Sequence, residues 1–138
     1  MPEAPYSIAA RCPTVDEYLH LRQVCGLSAF SAAAAELGLP RSIFAVVVEV
    51  HGQAIGMGRI IGDGGCFFQI TDIAVDPAHQ GKGLSKHIMN ALMDHVLNEL
   101  PDTAYVSLIA DKPADRLYRQ YGFAEVSPAS VGMALRRS

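Results

Sequence analysis

The sequence is short of charge and has no excess of the positive sign: charged residues make up 18% of its 138 positions, and the formal net charge is -3. Gripping a phosphate backbone requires clustered lysine and arginine, and no basic run occurs beyond the terminal pair Arg136-Arg137. No nucleic-acid partner is expected. Cysteine is also scarce. Cys12, Cys25 and Cys66 are odd in number, far apart and without paired metal spacing, which excludes a disulfide framework and fits buried thiols in a reducing compartment. No metal is expected. No apolar run approaches bilayer-spanning length, and Met1-Pro2-Glu3-Ala4-Pro5 lacks the basic and apolar regions of a leader. The expectation is a soluble cytoplasmic protein that does not engage a membrane.

Half of the residues are hydrophobic, enough to bury a core within the size of one ordinary domain, taken as residues 1–138. Tyr6 to Ala10 reads as a short strand. Thr14-Val15-Asp16-Glu17 has the form of a capping box, so a helix is expected there with Tyr18, Leu21, Val24 and Cys25 on its apolar face. Ser28 is expected to cap a second helix through the alanine run to Leu37. The β-branched run Ile43 to Val48, the segment Ala54 to Ile61 after the His51-Gly52 turn, and the segment Cys66 to Val75 after Asp63-Gly64-Gly65 read as an antiparallel meander. A long amphipathic helix follows, with Leu84, Ile88, Ala91, Leu92, Val96 and Leu100 on one face, ended by Pro101. The strand Tyr105 to Ala110 then runs parallel to Cys66–Val75, because a helical crossover returns the chain in the same direction. A short helix from Pro113 to Gly122 and a closing hairpin of Ala124–Val126 with Val131–Leu135 complete an α/β layout.

Gln80-Gly81-Lys82-Gly83-Leu84-Ser85 lies between a strand and the start of that long helix. Glycines let a ligand approach the backbone, and the unpaired N–H groups of a first helical turn point outward as anion donors, so a phosphate belongs there. A plain tight turn is the alternative. The loop is not a Walker A motif, because Leu84 follows Gly83 where lysine is required, and Lys86 replaces the third glycine of a dinucleotide fingerprint.

It resembles the Gln/Arg-x-x-Gly-x-Gly/Ala pyrophosphate loop of the GNAT superfamily of N-acetyltransferases, through Gln80, Gly83 and Ser85, with serine at the last position. An independent second segment, Ala114-Asp115-Arg116-Leu117-Tyr118-Arg119-Gln120-Tyr121-Gly122-Phe123, is similar to the superfamily's Ala-x-x-Leu-Tyr-x-x-x-Gly-Phe. The resemblance implies a mixed, mostly antiparallel sheet flanked by helices, splayed between the strand before the loop and the strand before the Tyr118 helix. It implies acetyl-coenzyme A as cosubstrate, held by Gln80 to Ser85, by backbone groups of Ile73, Ala74 and Val75, and by Asp111, Ala114 and Leu117. Asp111 stands where many relatives carry asparagine. Tyr118 is implied as the acid that protonates the departing thiolate, and a buried structural tyrosine is the alternative.

The acceptor implied is an amine of a small molecule, lined by Leu27, Ser28 and Phe30. A protein N-terminus or lysine, or a coenzyme A-binding module without turnover, is the alternative, and a homodimer is admitted. Side-chain alternation puts Gln69, Thr71, Ile73 and Val75 on one face of their strand and Phe68, Ile70, Asp72 and Ala74 on the other. Relatives with a strand-borne base carry it at Gln69 or Thr71, and neither residue is a competent base. Arg59 is a candidate reader of an acidic group on the acceptor, or else the partner of Asp72. His79 is a minor candidate for phosphate.

Overall fold

The computed structural model describes residues 5–137; Met1 to Ala4 and Ser138, and with them most of the segment read as lacking a leader, lie outside the described residues. Its elements run β1 (Ser7–Ala9), α1 (Val15–Val24), α2 (Ala32–Gly38), β2 (Phe44–Val50), β3 (Gln53–Gly62), β4 (Phe67–Val75), α3 (Leu84–Glu99), β5 (Tyr105–Leu108) and α4 (Asp115–Arg119). The five strands form one sheet in sequence order. The pairings are antiparallel up to β4, and β5 is parallel to β4. This is the mixed, mostly antiparallel sheet expected.

The sheet is buried on both faces in its centre, which is why β2 reads as a continuous β-branched run. On one face, α3 presses Ile88, Met89 and Leu92 onto Val46, Val48, Ile60, Phe68 and Ile70. On the other, α1 and the chain around α2 set Tyr18, Leu21, Ala35 and Leu39 against Val47, Met57 and Ala74. Gly58 allows α3 to lie close: a Cβ there would stand 2.6 Å from Ile88 Cγ2. The capping box of α1 is formed in both directions, with Glu17 N–H donating to Thr14 Oγ1 and Thr14 N–H donating to Glu17 Oε1. The cap of α2 is Ser31 rather than Ser28, since the Ser31 hydroxyl accepts from Ala34 N–H and Ser28 is engaged elsewhere. His95 of α3 stacks on Phe44 with ring centroids 4.2 Å apart.

The pairing of β4 with β5 ends at Ile70↔Leu108, while β4 continues to Val75. This is the expected splay, and it leaves the last residues of β4 without a strand on that side. The closing hairpin differs from expectation, and β5 and α4 are shorter than read, at Tyr105–Leu108 and Asp115–Arg119. Ala124–Val126 and Val131–Leu135 form no hairpin; among the described residues the last strand is β5. Val131, Met133 and Leu135 are exposed, so a hairpin there would have no buried face to stabilise it, and Pro128 removes a backbone donor between its arms.

β4 itself carries a bulge. Met57 pairs with Ala74 but Arg59 pairs with Thr71, so Gly58 faces two residues, Asp72 and Ile73. Asp72 accommodates the extra residue at φ 59°, in the left-handed region. The consequence is a correction to the alternation read from sequence. Before the bulge Phe68 and Ile70 face α3; after it Ile73 and Val75 do, while Ala74 joins the α1 face. Asp72 therefore points to the α1 side, sharing a cavity with Gln69 and Thr71.

Candidate active site

Two adjoining cavities open where β4 and β5 part. The first, of about 430 Å³, is floored by Ile73, Ala74 and Val75 of β4. One wall is the loop and helix start Gln80, Gly81, Gly83, Leu84 and Ser85; the other is Ala114, Leu117 and Tyr118, with Cys25, Leu27 and His79 at the rim. Ten of the residues expected to hold the cofactor are thus brought together in one groove. Lys82 belongs to the same loop but does not line the cavity, and Asp111 lines the neighbouring one instead.

The loop's shape follows from its glycines. Gly81 and Gly83 adopt φ of 80° and 75°, and Gly83 is the N-cap of α3. The first helical bond of α3 runs from His87 N–H to Gly83 C=O, so the N–H groups of the turn before it have no intrahelical acceptor, and Gly83, Leu84 and Ser85 of that turn line the groove. A 16-residue helix adds its positive dipole end there. Such a site suits an anion. The Val75 carbonyl, at the inner end of the groove, accepts from Cys25 Sγ at 3.3 Å and from Gln80 Nε2 at 3.1 Å. Gln80 therefore uses its side chain to cap β4 and leaves its position in the loop to the backbone. His79 is held from the N-terminal side by Tyr6, whose hydroxyl lies 2.7 Å from Nδ1.

The second cavity, of about 410 Å³, is lined by Leu27 and Ser28, by Gln69, Thr71 and Asp72 of β4, by Ile109 and Asp111 beyond β5, and by Arg22. Tyr118 lines both cavities. Burial raises the pKa of the Tyr118 phenol above the ordinary tyrosine value, and the nearby Asp111 carboxylate raises it further. The phenol thus keeps its proton at neutral pH.

Beneath the second cavity lies a buried charge cluster that only the fold assembles. Asp72 accepts from Arg22 on Oδ1, and from Tyr18 at 2.8 Å and Arg59 at 2.9 Å on Oδ2. Arg22 also donates to the Ser28 carbonyl and hydroxyl, and lies 4.5 Å over the Phe30 ring. Arg59 donates to Ser42 Oγ at 2.8 Å and does not line the cavity. It is a partner of Asp72, as its alternative reading had it. Phe30 likewise does not line the space; its ring lies against the Arg22 guanidinium. Sequence reasoning passed over Arg22. Its signal was present: it lies four residues after Tyr18 and one after Leu21, on the buried face of α1, where an arginine needs a partner.

The sheet thus splays beside a glycine-bearing helix start, and one phenol lines both cavities there. The acetyltransferase (GNAT) domain family matches residues 26–135, and the chain belongs to that family. A Staphylococcus aureus protein of unknown function, described as a probable acetyltransferase, superimposes with a TM-score of 0.89 and is 43% identical, over 95% of this chain and 98% of that one. A histone acetyltransferase of Glycine max is 35% identical over 79 residues, 57% of this chain and 33% of its own length. A chloroplastic serotonin N-acetyltransferase of Oryza sativa is 31% identical over 87 residues, 63% of this chain and 42% of its own. The chain spans about a third to two fifths of the length of these curated relatives.

Proposed function

We propose that this protein moves the acetyl group of acetyl-coenzyme A onto an amine of a small molecule. The observation that carries the reading is the position of Tyr118, which lines both the groove with the anion-binding loop and the separate polar cavity beside it. In this reading the pyrophosphate rests on the backbone of Gln80 to Ser85, and the pantetheine arm runs along Ile73, Ala74 and Val75. Its amides would pair β4 groups that the splay leaves without a strand. The thioester then sits beside Tyr118, and the amine approaches from the second cavity.

Attack by nitrogen on the thioester carbon breaks the C–S bond, and the sulfur leaves with its electron pair. Tyr118 supplies the proton that makes the leaving group a thiol. Its raised pKa keeps that proton in place until it is needed. No helix among the described residues is long and apolar enough to cross a membrane, and we place the reaction in the cytoplasm.

The test follows free thiol while the full chain is incubated with acetyl-coenzyme A and a panel of primary amines. Amine-dependent thiol release supports the reading; tight coenzyme A binding without release from any amine or peptide favours a binding module. The likeness to the soybean histone acetyltransferase supports a second acceptor class, a protein N-terminus or lysine. Peptide amines in the same panel separate the two classes.

A further inference from the structure

We infer that Asp111 is the group that takes the proton from the attacking amine. The inference rests on the acetyltransferase reading and supplies the step that reading leaves without a residue. The second cavity is lined by four ionisable side chains: Arg22, Asp72, Asp111 and Tyr118. None of the five histidines lines it, and Cys25 lines only the groove. Gln69 and Thr71, where a strand-borne base would stand, have nothing to ionise.

Three of the four are committed. Arg22 donates to Asp72 and twice to Ser28. Both oxygens of Asp72 are occupied, by Arg22, Arg59 and Tyr18, and its side chain is 4% exposed. Tyr118 holds the proton meant for sulfur. Asp111 is left. It stands just beyond β5, on the turn that leads into α4, and its carboxylate makes no hydrogen bond or ion pair among the described residues. Its backbone carbonyl accepts from Ala114 N–H, which fixes the turn that presents it. Its charge is close enough to Tyr118 to raise that phenol's pKa. A carboxylate and a phenol therefore face one space.

The step balances. The nitrogen lone pair forms the N–C bond, an N–H proton passes to Asp111, and the C–S bond breaks with its electron pair on sulfur, which takes the Tyr118 proton. Asp111 afterwards returns its proton through solvent to the Tyr118 phenolate. A free alkylammonium would not give its proton to a carboxylate, but the nitrogen becomes far more acidic as it bonds to the electron-poor carbonyl carbon. The base is needed only at that moment. The charged or titratable groups around Asp111 are Tyr118 from α4, Asp72 from β4 and Arg22 from α1, with Lys112, Asp115 and Arg116 on its own segment.

The experiment compares the full chain with Asp111→Asn and Asp111→Glu, using tyramine, spermidine and aniline as acceptor probes and calorimetry for coenzyme A. Asp111→Asn is expected to lower kcat/KM for the acceptor about a hundred-fold, with coenzyme A affinity unchanged. Asp111→Glu should recover at least about ten-fold of that loss, as a base on a longer arm would. Once the rate is expressed per neutral amine, the parent should show the same acid limb for tyramine and aniline, and the asparagine variant should lose it. Parent-like turnover in Asp111→Asn overturns the inference. So does lost coenzyme A affinity with unchanged kcat, which makes Asp111 a cofactor contact, and so does the absence of any acid limb in the parent rate per neutral amine. A parent that neither binds coenzyme A nor releases thiol with any probe defeats the acetyltransferase reading, and this inference with it.

Discussion

The two cavities that meet at Tyr118 are built in opposite ways. The groove is lined mostly from short local stretches: Ile73 to Val75, Gln80 to Ser85 apart from Lys82, and the turn of helix carrying Ala114, Leu117 and Tyr118. The second cavity is made of side chains from distant stretches, and its floor is a buried cluster in which one carboxylate is shared by two guanidinium groups. A cosubstrate recognised through pyrophosphate and amides needs only backbone donors at fixed angles. An acceptor distinguished from other amines needs side chains, and those must be locked by their neighbours. Damage should therefore show as lost stability beneath the second cavity and as lost affinity in the groove.

The sharpest break of that comparison is Asp72→Asn, which leaves Arg22 and Arg59 buried without a counter-charge. Removing one partner of a buried pair costs roughly 3–5 kcal/mol. Urea denaturation should show a loss of that order, while protein that remains folded binds coenzyme A as before. An unchanged denaturation midpoint together with abolished chemistry would make Asp72 the base. Next in size is Tyr118→Phe, where the ring is kept and only the proton source is removed. Turnover should drop about a hundred-fold with KM for acetyl-coenzyme A unchanged. Parent-like turnover with a rate-limiting chemical step would hand the acid role to another group.

Gly83→Asp tests the groove alone. A Cβ at Gly83 meets nothing within 4 Å, so bulk within the protein contributes nothing; the effect comes from the left-handed φ and from a negative charge beside the pyrophosphate. Strain of about 1–2 kcal/mol together with that repulsion predicts a loss of coenzyme A affinity of about ten-fold or more by calorimetry. Equal affinity would move the anion site elsewhere. The smallest effects concern the join. Because the Tyr118 pKa is raised by burial and then by Asp111, parent activity should persist above the usual tyrosine range and fall as pH rises through the raised value. In Asp111→Asn the second cause is gone, so the alkaline limb of the residual activity should move to lower pH. A limb that stays in place would separate the two groups. Tyr18 responds in the same sense: burial, then Asp72, raises its pKa, so its contribution to stability is present below the unfolded value and is lost as pH rises through the folded one.

How much of this was legible depended on distance along the chain. The capping box of α1, the apolar stripe of α3 and the glycine loop before it are local patterns. Local spacing fixes which groups meet within one or two turns, so they carried over nearly unchanged. The splay came with the family resemblance instead; it forms because β5 ends at Leu108, short of the Ala110 expected, while β4 runs on to Val75. The hairpin expected from Val131–Leu135 failed because alternation marks a strand only where a face finds something to cover it, and those side chains are exposed.

By itself the sequence determined the class of the protein: the order of strands and helices, the glycine turn before α3, the tyrosine on the helix after β5, and with them the family. Only the tertiary structure decided what lines the second cavity. The bulge opposite Gly58 turns Asp72 to the α1 face, against simple alternation. Arg22, 50 residues away, then meets it there. Asp111 leaves the groove for the second cavity. The physical reason is common to all three. A motif specifies backbone conformation over a few residues, whereas the partner of a buried charge is chosen by whichever elements the sheet brings together.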